Sequence, residues 1–292
     1  MCAISKQLNS IPARRSLRPG DSPLYILVLG EQKPAMIIDA HAHLCDPAFD
    51  ADRSEVLSRA RAAGVTGVVC VGESFEDARK NLALAEEYPL LLPAAGLYPG
   101  RFDHNEAEAL IGLIRREHDR LVAVGEVGLD RWIVKRAPES EQAEQEELQR
   151  ELFLCFVDLA VELDLPLNVH SRSAGRQTIA ALLERGAGRV QLHAFDGKAS
   201  TALPAVEAGY FFSVPPSILR SRQKQKLVGR LPLSCLLVES DSPVLGPEGG
   251  VRNEPANVAA ALRAIAEIKR LSEQQVAEAV AENTARLYRL GS

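Results

Sequence analysis

Residues 36–43, with the sequence MIIDAHAH, join a short apolar run to two histidines spaced two positions apart. The apolar run predicts a buried strand over residues 36–40. Side chains at positions i and i+2 of a strand point to the same face, so His41 and His43 can converge on one metal ion. The alternative is two unrelated polar residues at a strand end, and the rest of the chain decides between these two interpretations.

Downstream of this stretch, short apolar runs alternate with longer amphipathic segments. Eight strands are predicted over residues 36–40, 67–72, 91–97, 121–127, 166–170, 190–193, 210–213 and 235–239. The helical patterns fall at residues 52–63, 75–87, 106–118, 141–163, 174–185, 199–208, 218–231, 257–269 and 272–290. Eight strand–helix units in about 250 residues favour a single (β/α)₈ TIM barrel. No glycine-rich dinucleotide fingerprint follows the first strand, which counts against an open doubly wound sheet.

The first 35 residues differ from the rest of the chain. Basic residues precede the first acidic one, in a pattern that loosely suits a mitochondrial transit peptide. Prolines at positions 12, 19, 23 and 34 interrupt any sustained amphipathic helix, which argues against targeting. We expect residues 1–35 to be a flexible extension or an alternative-start leader, and residues 36–292 to form one single-domain barrel.

Composition limits the classes of function. The chain has 292 residues, a net charge of −5 and a pI near 5.8, so a strongly basic surface for gripping long duplex DNA is absent. Five widely spaced cysteines without a Cys-x-x-Cys pair predict buried thiols in a reducing compartment. No apolar run approaches the ~18 residues that a membrane span needs. The sequence predicts a cytoplasmic or nuclear protein without a membrane partner, no obligate protein partner is evident, and the oligomeric state is open.

Ligand-type side chains gather at the ends of the predicted strands, where barrel enzymes place their chemistry. The six residues are His41, His43, Glu126, His170, His193 and Asp241. Four imidazoles and two carboxylates are too many ligands for one tetrahedral ion and suit two bridged ions. We assign His41, His43 and Asp241 to one ion, His170 and His193 to the other, and Glu126 to the bridge. Carboxylate and imidazole ligands accommodate Mg, Mn and Zn alike.

The motifs around these residues resemble those of the TatD family of metal-dependent DNA hydrolases, which are amidohydrolase-like barrels. The matching segments are DAHAHL at 39–44, GEVGLD at 125–130, HSRSA at 170–174, HAFDG at 193–197, ESDSP at 239–243 and RNEP at 252–255. The match runs from Met36 to about Leu290, and residues 211–218 resemble one vertebrate branch of the family in particular. The resemblance implies a divalent-metal nuclease with the ligand positions just assigned.

One position departs from the family pattern. The family carries Gly-x-His-Pro after the third strand, with the histidine facing the substrate, whereas this chain has Tyr98 at that position. Tyrosine keeps a hydrogen-bond donor and an aromatic face but is not a cation near neutral pH. A changed phosphate or leaving-group preference and a weakened enzyme are both consistent with this replacement.

Several further residues are candidates for contact with substrate. Asp241 is expected to act as general base as well as ligand, or as ligand only. Arg172 is expected to bind a phosphate, or to form a salt bridge at the rim. Arg252 and Asn253 lie in the loop after strand eight, a common phosphate-binding region, although Asn253 also suits loop capping. The only tryptophan, Trp132, suits either base stacking or packing on the rim.

Together these features predict a divalent-metal-dependent deoxyribonuclease that hydrolyses DNA phosphodiester bonds with metal-bound hydroxide as the nucleophile. Two alternatives use the same barrel. A small-molecule phosphoesterase or amidohydrolase would use the same ions, although Arg172 favours phosphate over amide substrates. A weakly active binding protein is the other alternative, for which Tyr98 is the only indication.

Overall fold

A computed structural model of the chain describes residues 37–290. The expectation for residues 1–35 lies outside the described part, so it stays a prediction. No helix between residues 37 and 290 is both long enough and apolar enough to cross a membrane.

Eight parallel strands form a nearly closed barrel in the simple order β1 to β8, which confirms the predicted fold class. The strands are β1 Ile37–Ala42, β2 Val65–Cys70, β3 Leu91–Ala95, β4 Ala123–Gly128, β5 Leu167–His170, β6 Val190–Leu192, β7 Phe211–Val214 and β8 Leu236–Val238. Each predicted strand overlaps the observed one. The ends differ by at most two residues, because the register between neighbours, and not local sequence, decides where pairing stops.

Helices follow the strands around the outside of the barrel. They are α1 Arg53–Ala62, α2 Phe75–Glu87, α3 His104–Glu117, α4 Arg131–Val134, α5 Glu139–Glu162, α6 Gly175–Glu184, α7 Ala199–Glu207, α8 Arg222–Arg230, α9 Val258–Lys269 and α10 Glu273–Tyr288. The predicted capping box at Ser272 and Gln275 is present at the start of α10. Two details differ from the sequence expectation. The short helix α4 was not predicted, and α8 begins four residues later than expected.

The delayed start of α8 has a local cause. Pro215 and Pro216 lead into a short 3₁₀ helix at Pro216–Leu219, where proline fixes the backbone but cannot donate a ladder hydrogen bond. Ser221 then caps α8 by accepting a hydrogen bond from the Lys224 amide. The segment predicted as one helix over residues 218–231 is therefore divided into a turn and a helix.

Alternation along the strands divides the core into two parts. One cluster joins strand residues such as Val68 to helix residues such as Leu57 and Phe156, between the sheet and the outer helices. The alternating residue Val69 belongs to a second cluster, with Ala40 and Tyr288, on the opposite face of the strands. The second cluster therefore fills the barrel interior, where α10 contributes Leu287 and Tyr288.

Backbone hydrogen bonds join the chain just after β8 to β1. The Asp241 amide donates to the His41 carbonyl at 2.8 Å, and the His43 amide donates to the Ser242 carbonyl at 2.8 Å. The buried Asp39 carboxylate accepts from the Ser240 amide at 2.7 Å. The last gap of the barrel is thus bridged at the segments that carry His41, His43 and Asp241.

Candidate metal centre

The six predicted ligand residues meet at the carboxyl ends of the strands. His41 lies within β1 and His43 directly after it, Glu126 lies in β4, and His170 ends β5. His193 follows β6 by one residue and Asp241 follows β8 by three. All are buried except His43, whose side chain keeps 12% of its exposure. Since parallel strands end at the same rim, residues far apart in sequence come together there.

The first group consists of His41, His43 and Asp241. Their ligand atoms all lie within 4.8 Å of one another. The two histidine Nε2 atoms are 3.2 Å apart, and Asp241 Oδ1 lies 3.6 Å from His41 Nε2 and 3.5 Å from His43 Nε2. The two Nε2 atoms and Asp241 Oδ1 therefore face a common point, as in a ligand set that surrounds one cation.

The second group lies on the other side of Glu126. His170 Nδ1 is 2.6 Å from Glu126 Oε1, and His193 Nε2 is 3.0 Å from the same oxygen. The two imidazole nitrogens are 3.1 Å apart. Glu126 Oε2 faces the first group instead, at 3.6 Å from His43 Nε2 and 3.9 Å from His41 Nε2. Each oxygen of one carboxylate thus faces a different pair of histidines.

The outward nitrogen of each histidine has its own polar neighbour. His41 Nδ1 lies 2.8 Å from Asn168 Oδ1, and His170 Nε2 lies 3.0 Å from Asp130 Oδ2. The neighbours of the other two are more distant: His43 Nδ1 is 3.8 Å from Glu73 Oε1, and His193 Nδ1 is 3.8 Å from Glu239 Oε2. Such neighbours fix which nitrogen of an imidazole points inward.

Sequence reasoning missed these four neighbours, which are Glu73, Asp130, Asn168 and Glu239. Three carry a signal that could have found them. Glu73 and Asp130 follow the ends of β2 and β4, on the same rim as the predicted ligands, and Glu239 directly follows β8. Asn168 lies inside β5, where an asparagine in a buried strand gives no indication of its partner.

Burial and neighbouring charges set the ionisation of the centre. Burial lowers the pKa of His41 to about 3. Burial raises the pKa of Glu126, but the charges of His193 and His170 outweigh this and hold that pKa well below its ordinary value. Burial acts on Asp241 in the same way, and its hydrogen bond with His43 holds its pKa below the ordinary value. Both carboxylates are therefore ionised near neutral pH.

The donor set suits a divalent cation. Imidazole nitrogens and carboxylate oxygens are the ligands of Zn²⁺ and Mn²⁺, and Mg²⁺ takes carboxylates. Several of these donor atoms face inward at short distances from one another, for example His170 Nδ1 at 3.1 Å from His193 Nε2 and His41 Nε2 at 3.2 Å from His43 Nε2. Cations between the two groups would replace the close approach of lone pairs by coordination, and the residues present fit such ions.

A cavity of about 400 Å³ opens above this centre. This volume lies at the low end for small-ligand pockets. Tyr98 lines the wall, and its hydroxyl donates a hydrogen bond to Asp130 Oδ2 at 3.2 Å. Two cations line it as well: Arg172, and Lys224, whose Nζ donates to the Ala194 carbonyl at 2.7 Å. Val244 and Leu245 add an apolar side to the mouth.

Two residues expected to bind phosphate do not line this cavity. The Arg252 guanidinium forms a two-pronged contact with the Asp52 carboxylate and also donates to the Ala48 carbonyl, so its charge is already paired. Asn253 is buried, and its Nδ2 donates to the carbonyls of Ser240 and Val244. The contacts of Asn253 are those of a loop-capping residue, and phosphate binding by Arg252 or Asn253 stays a prediction.

Trp132 is 40% exposed at the rim. The Arg172 and Arg136 guanidinium carbons lie 3.8 Å and 4.4 Å from the centroid of its ring. These contacts fit the packing interpretation, since the indole already stacks on side chains of the protein.

Comparison with known proteins gives a consistent family. The model of the family described as TatD related DNase matches residues 38–289. The human protein named deoxyribonuclease TATDN3 is 44% identical over 262 residues, which cover 86% of this chain and 94% of that protein. An uncharacterized metal-dependent hydrolase of Bacillus subtilis, YabD, is 32% identical and covered over its full length, with 87% of this chain matched.

Solved structures agree with this result. The Escherichia coli TatD homologue YjjV superposes with a TM-score of 0.81 at 30% identity, over 89% of this chain and all of that one. A TatD-family hydrolase from Entamoeba histolytica superposes with a TM-score of 0.78 at 20% identity, over 88% of this chain and 99% of that one. The second likeness shows the barrel fold alone.

Proposed function

The chain belongs to the TatD-related DNase family, and on this premise we propose that it is a divalent-metal-dependent deoxyribonuclease that hydrolyses phosphodiester bonds of DNA. The protein is therefore a hydrolase that acts on ester bonds. Relatives named as metal-dependent hydrolases and deoxyribonucleases support the use of a divalent ion and a DNA substrate.

One observation supports two ions rather than one. Glu126 directs Oε1 to His170 and His193 and Oε2 to His41 and His43, so a single carboxylate faces two separate histidine pairs. We propose that His41, His43 and Asp241 hold one ion, that His170 and His193 hold the other, and that Glu126 bridges them. The ions would be Mg²⁺, Mn²⁺ or Zn²⁺.

When bound, such ions neutralise phosphate charge and lower the pKa of a water molecule from 15.7 to about 7, so that hydroxide is available to attack phosphorus. The protein contributes orientation and proton transfer. Asp241 is ionised and buried beside the first histidine pair, so its carboxylate can accept the proton of the attacking water. Glu126 is ionised as well and holds the two histidine pairs at a fixed separation.

Two cations on the cavity wall favour phosphate esters over amides. Arg172 and Lys224 supply positive charge there, where a phosphate chain needs it. Lys224 is half-buried, and burial lowers its pKa, whereas the charges of Glu239, Asp241 and Asp196 act to raise it. The cavity of about 400 Å³ suits one end of a strand or one displaced nucleotide rather than continuous duplex. The same small cavity also suits a small phosphoester, which is the second candidate substrate.

The test uses the purified full chain with Mg²⁺, Mn²⁺ or Zn²⁺ and labelled single-stranded, duplex and abasic-site DNA, with small phosphoesters and amides in parallel. We expect metal-dependent cleavage of DNA, and a loss of about 10²–10⁴-fold in kcat in Asp241→Asn, the range for removing a general base. Asp119→Asn is the matched control, since that carboxylate is 91% exposed on the outside of the barrel.

Either of two results would contradict part of this proposal. Cleavage of small phosphoesters or amides without any cleavage of DNA would exclude the deoxyribonuclease. An Asp241→Asn variant with the wild-type rate and the wild-type metal content would exclude Asp241 as the base.

A further inference from the structure

Arg172 is the exposed cation of the cavity wall, and its charge is unpaired in the described residues. No carboxylate oxygen of residues 37–290 lies within 4.0 Å of its guanidinium nitrogens, and no described side chain or carbonyl accepts a hydrogen bond from them. The nearest lining acid in the sequence, Asp196, is engaged with the Ser173 amide at 2.9 Å. The donors of Arg172 are therefore available to a ligand in the cavity.

The position of Arg172 is nevertheless well defined. Its carbonyl accepts a hydrogen bond from the Arg131 amide at 3.1 Å, which ties the loop after β5 to the loop after β4. Its guanidinium stacks on Trp132 in that second loop, with 3.8 Å between the guanidinium carbon and the ring centroid. Stacking on an indole restricts the side chain without consuming its charge or its in-plane donors.

Arg172 also lies close in the chain to a residue of the metal centre. It follows His170 by two residues, and Trp132 follows Asp130 by two, while Asp130 contacts His170 at 3.0 Å. Both contacts therefore join the segment after β4 to the end of β5 and the loop that follows it. Arg172 is exposed on the cavity wall, whereas the Glu126 carboxylate of the metal centre is buried below, so the two offer separate places for a phosphate.

We propose that Trp132 is a positioning residue which holds the Arg172 guanidinium at the cavity mouth, where it forms a subsite for the phosphate next to the scissile one. This inference rests on the proposed function, because it assumes a nucleotide chain in the cavity. The ligand class is a dinucleotide or longer strand that carries a second phosphate. A small ester with one phosphate would occupy the metal centre or the subsite, but not both.

The experiment compares binding of three dinucleotides to the metal-loaded full-length protein by calorimetry. The probes are TpT, which has one phosphate, and the two forms with a further phosphate at the 5′ or the 3′ end, each with a hydrolysis-resistant phosphorothioate as the internal linkage. Because the three probes share the same core, the ratio of affinities isolates the contact with the second phosphate. We expect the wild type to favour one of the two longer forms by about tenfold or more, the contribution of a hydrogen bond to a charged group.

The variants separate the two residues. Arg172→Ala should abolish the preference, and Trp132→Ala should reduce it about two- to fivefold, the range for an exposed cation–π contact. Trp132→Phe should restore it, and Trp132→Ala should have no further effect in the Arg172→Ala background. Arg136→Ala is the matched control, since it removes a second guanidinium from the same ring without changing a cavity-lining residue.

The outcomes are decisive in each case. A wild type that binds all three probes equally, or that binds none of them, would overturn the inference. A Trp132→Ala variant that keeps the full preference, or that lowers it equally in the Arg172→Ala background, would do so too. A wild type that keeps the preference but cleaves no DNA with any of the three metals would contradict the proposed function alone.

Discussion

Asp130 shows how one side chain can serve two parts of the site. Its Oδ2 contacts His170 Nε2 at 3.0 Å and accepts a hydrogen bond from Tyr98, while its Oδ1 caps α4 at the Ile133 amide. The tyrosine that replaces the family histidine is thus connected to the second histidine pair through Asp130. The tyrosine ring also contacts His170 edge-on, with 5.3 Å between the centroids, and lines the cavity itself.

We expect Asp130→Asn to lower metal affinity about 10- to 100-fold, as for other carboxylates that orient a ligand histidine. The measurement is competition for Zn²⁺ against a coloured chelator. Tyr98→Phe is the control, because it removes the hydroxyl but leaves the Asp130–His170 contact in place. Equal losses in both variants would show that the tyrosine, and not the carboxylate alone, orients the histidine.

Binding of the ions is also expected to release protons. Burial lowers the pKa of His43, but its hydrogen bond to Asp241 and the charge of Glu126 outweigh this and raise the pKa to about 10. Burial lowers that of His170 too, and the charge of Glu126 raises it to about 9. Both side chains are therefore imidazolium cations, with both nitrogens protonated, at pH 7 in the metal-free protein. A metal ion must displace one proton from each.

The sign of the pH dependence follows from these raised pKa values. Metal affinity should rise from pH 7 towards pH 9–10 by about tenfold per pH unit for each proton displaced, and level off above. Calorimetry in buffers of different ionisation enthalpy measures the released protons directly. Affinity that is constant between pH 7 and pH 9 would contradict the expectation.

At the scale of elements, β4 and β5 approach each other closely where Glu126 is presented. A Cβ atom at Gly125 would come within 2.6 Å of Asn168 Cβ and 2.7 Å of the Asn168 carbonyl oxygen. A side chain there would push β4 away from β5. It would displace the Glu126 carboxylate and the Asn168 amide that contacts His41 together.

We therefore expect Gly125→Ala to lower both metal content and the free energy of unfolding, by about 1–3 kcal/mol for overpacking of this kind. Urea denaturation and metal analysis of the purified protein give the two readings. Gly188→Ala is the matched control, because a Cβ atom there meets nothing within 4 Å. A stable Gly125→Ala protein with full metal content would mean that the strands can separate without cost.

The elements and the centre were predictable to different degrees. The alternation of short apolar runs with amphipathic segments predicts the barrel, and the rule that chemistry lies at strand ends predicts six residues that the structure brings together. The orienting partners were not predictable, because they depend on contacts such as that between His41 and Asn168, which are 127 residues apart. Arg252 shows the same difficulty, since its pairing with Asp52 joins positions 200 residues apart.

At the scale of the whole molecule, hydrogen-bonded polar side chains extend below the metal centre. Asn168 contacts His41 and donates to the Tyr288 hydroxyl at 3.1 Å, and that hydroxyl donates to Gln191 Oε1 at 2.6 Å. Both amides also donate to the Ala40 carbonyl. The last helix thus supports the first histidine through a buried hydrogen-bond network.

Tyr288→Phe is expected to lower the free energy of unfolding by about 1–3 kcal/mol. It leaves Gln191 Oε1 and one N–H of the Asn168 amide buried without a partner. Denaturant unfolding of the full chain measures the change. Tyr88→Phe is the control, because the side chain of Tyr88 is partly exposed. Metal affinity should fall in parallel, because Asn168 loses a contact that fixes it beside His41. A variant as stable as the wild type would show that water or a neighbouring group satisfies these amides.

Strand β1 contacts segments that are synthesised much later, namely the residues after β8 and helix α10. This order affects when the metal centre can form during translation. A ribosome releases His41 about 200 residues before Asp241, and Tyr288 follows later still. A nascent or prematurely terminated chain holds imidazoles that lack both their carboxylate and the network beneath them. We expect such chains to bind metal poorly, so that a cell acquires the nuclease only when translation has passed the last helix.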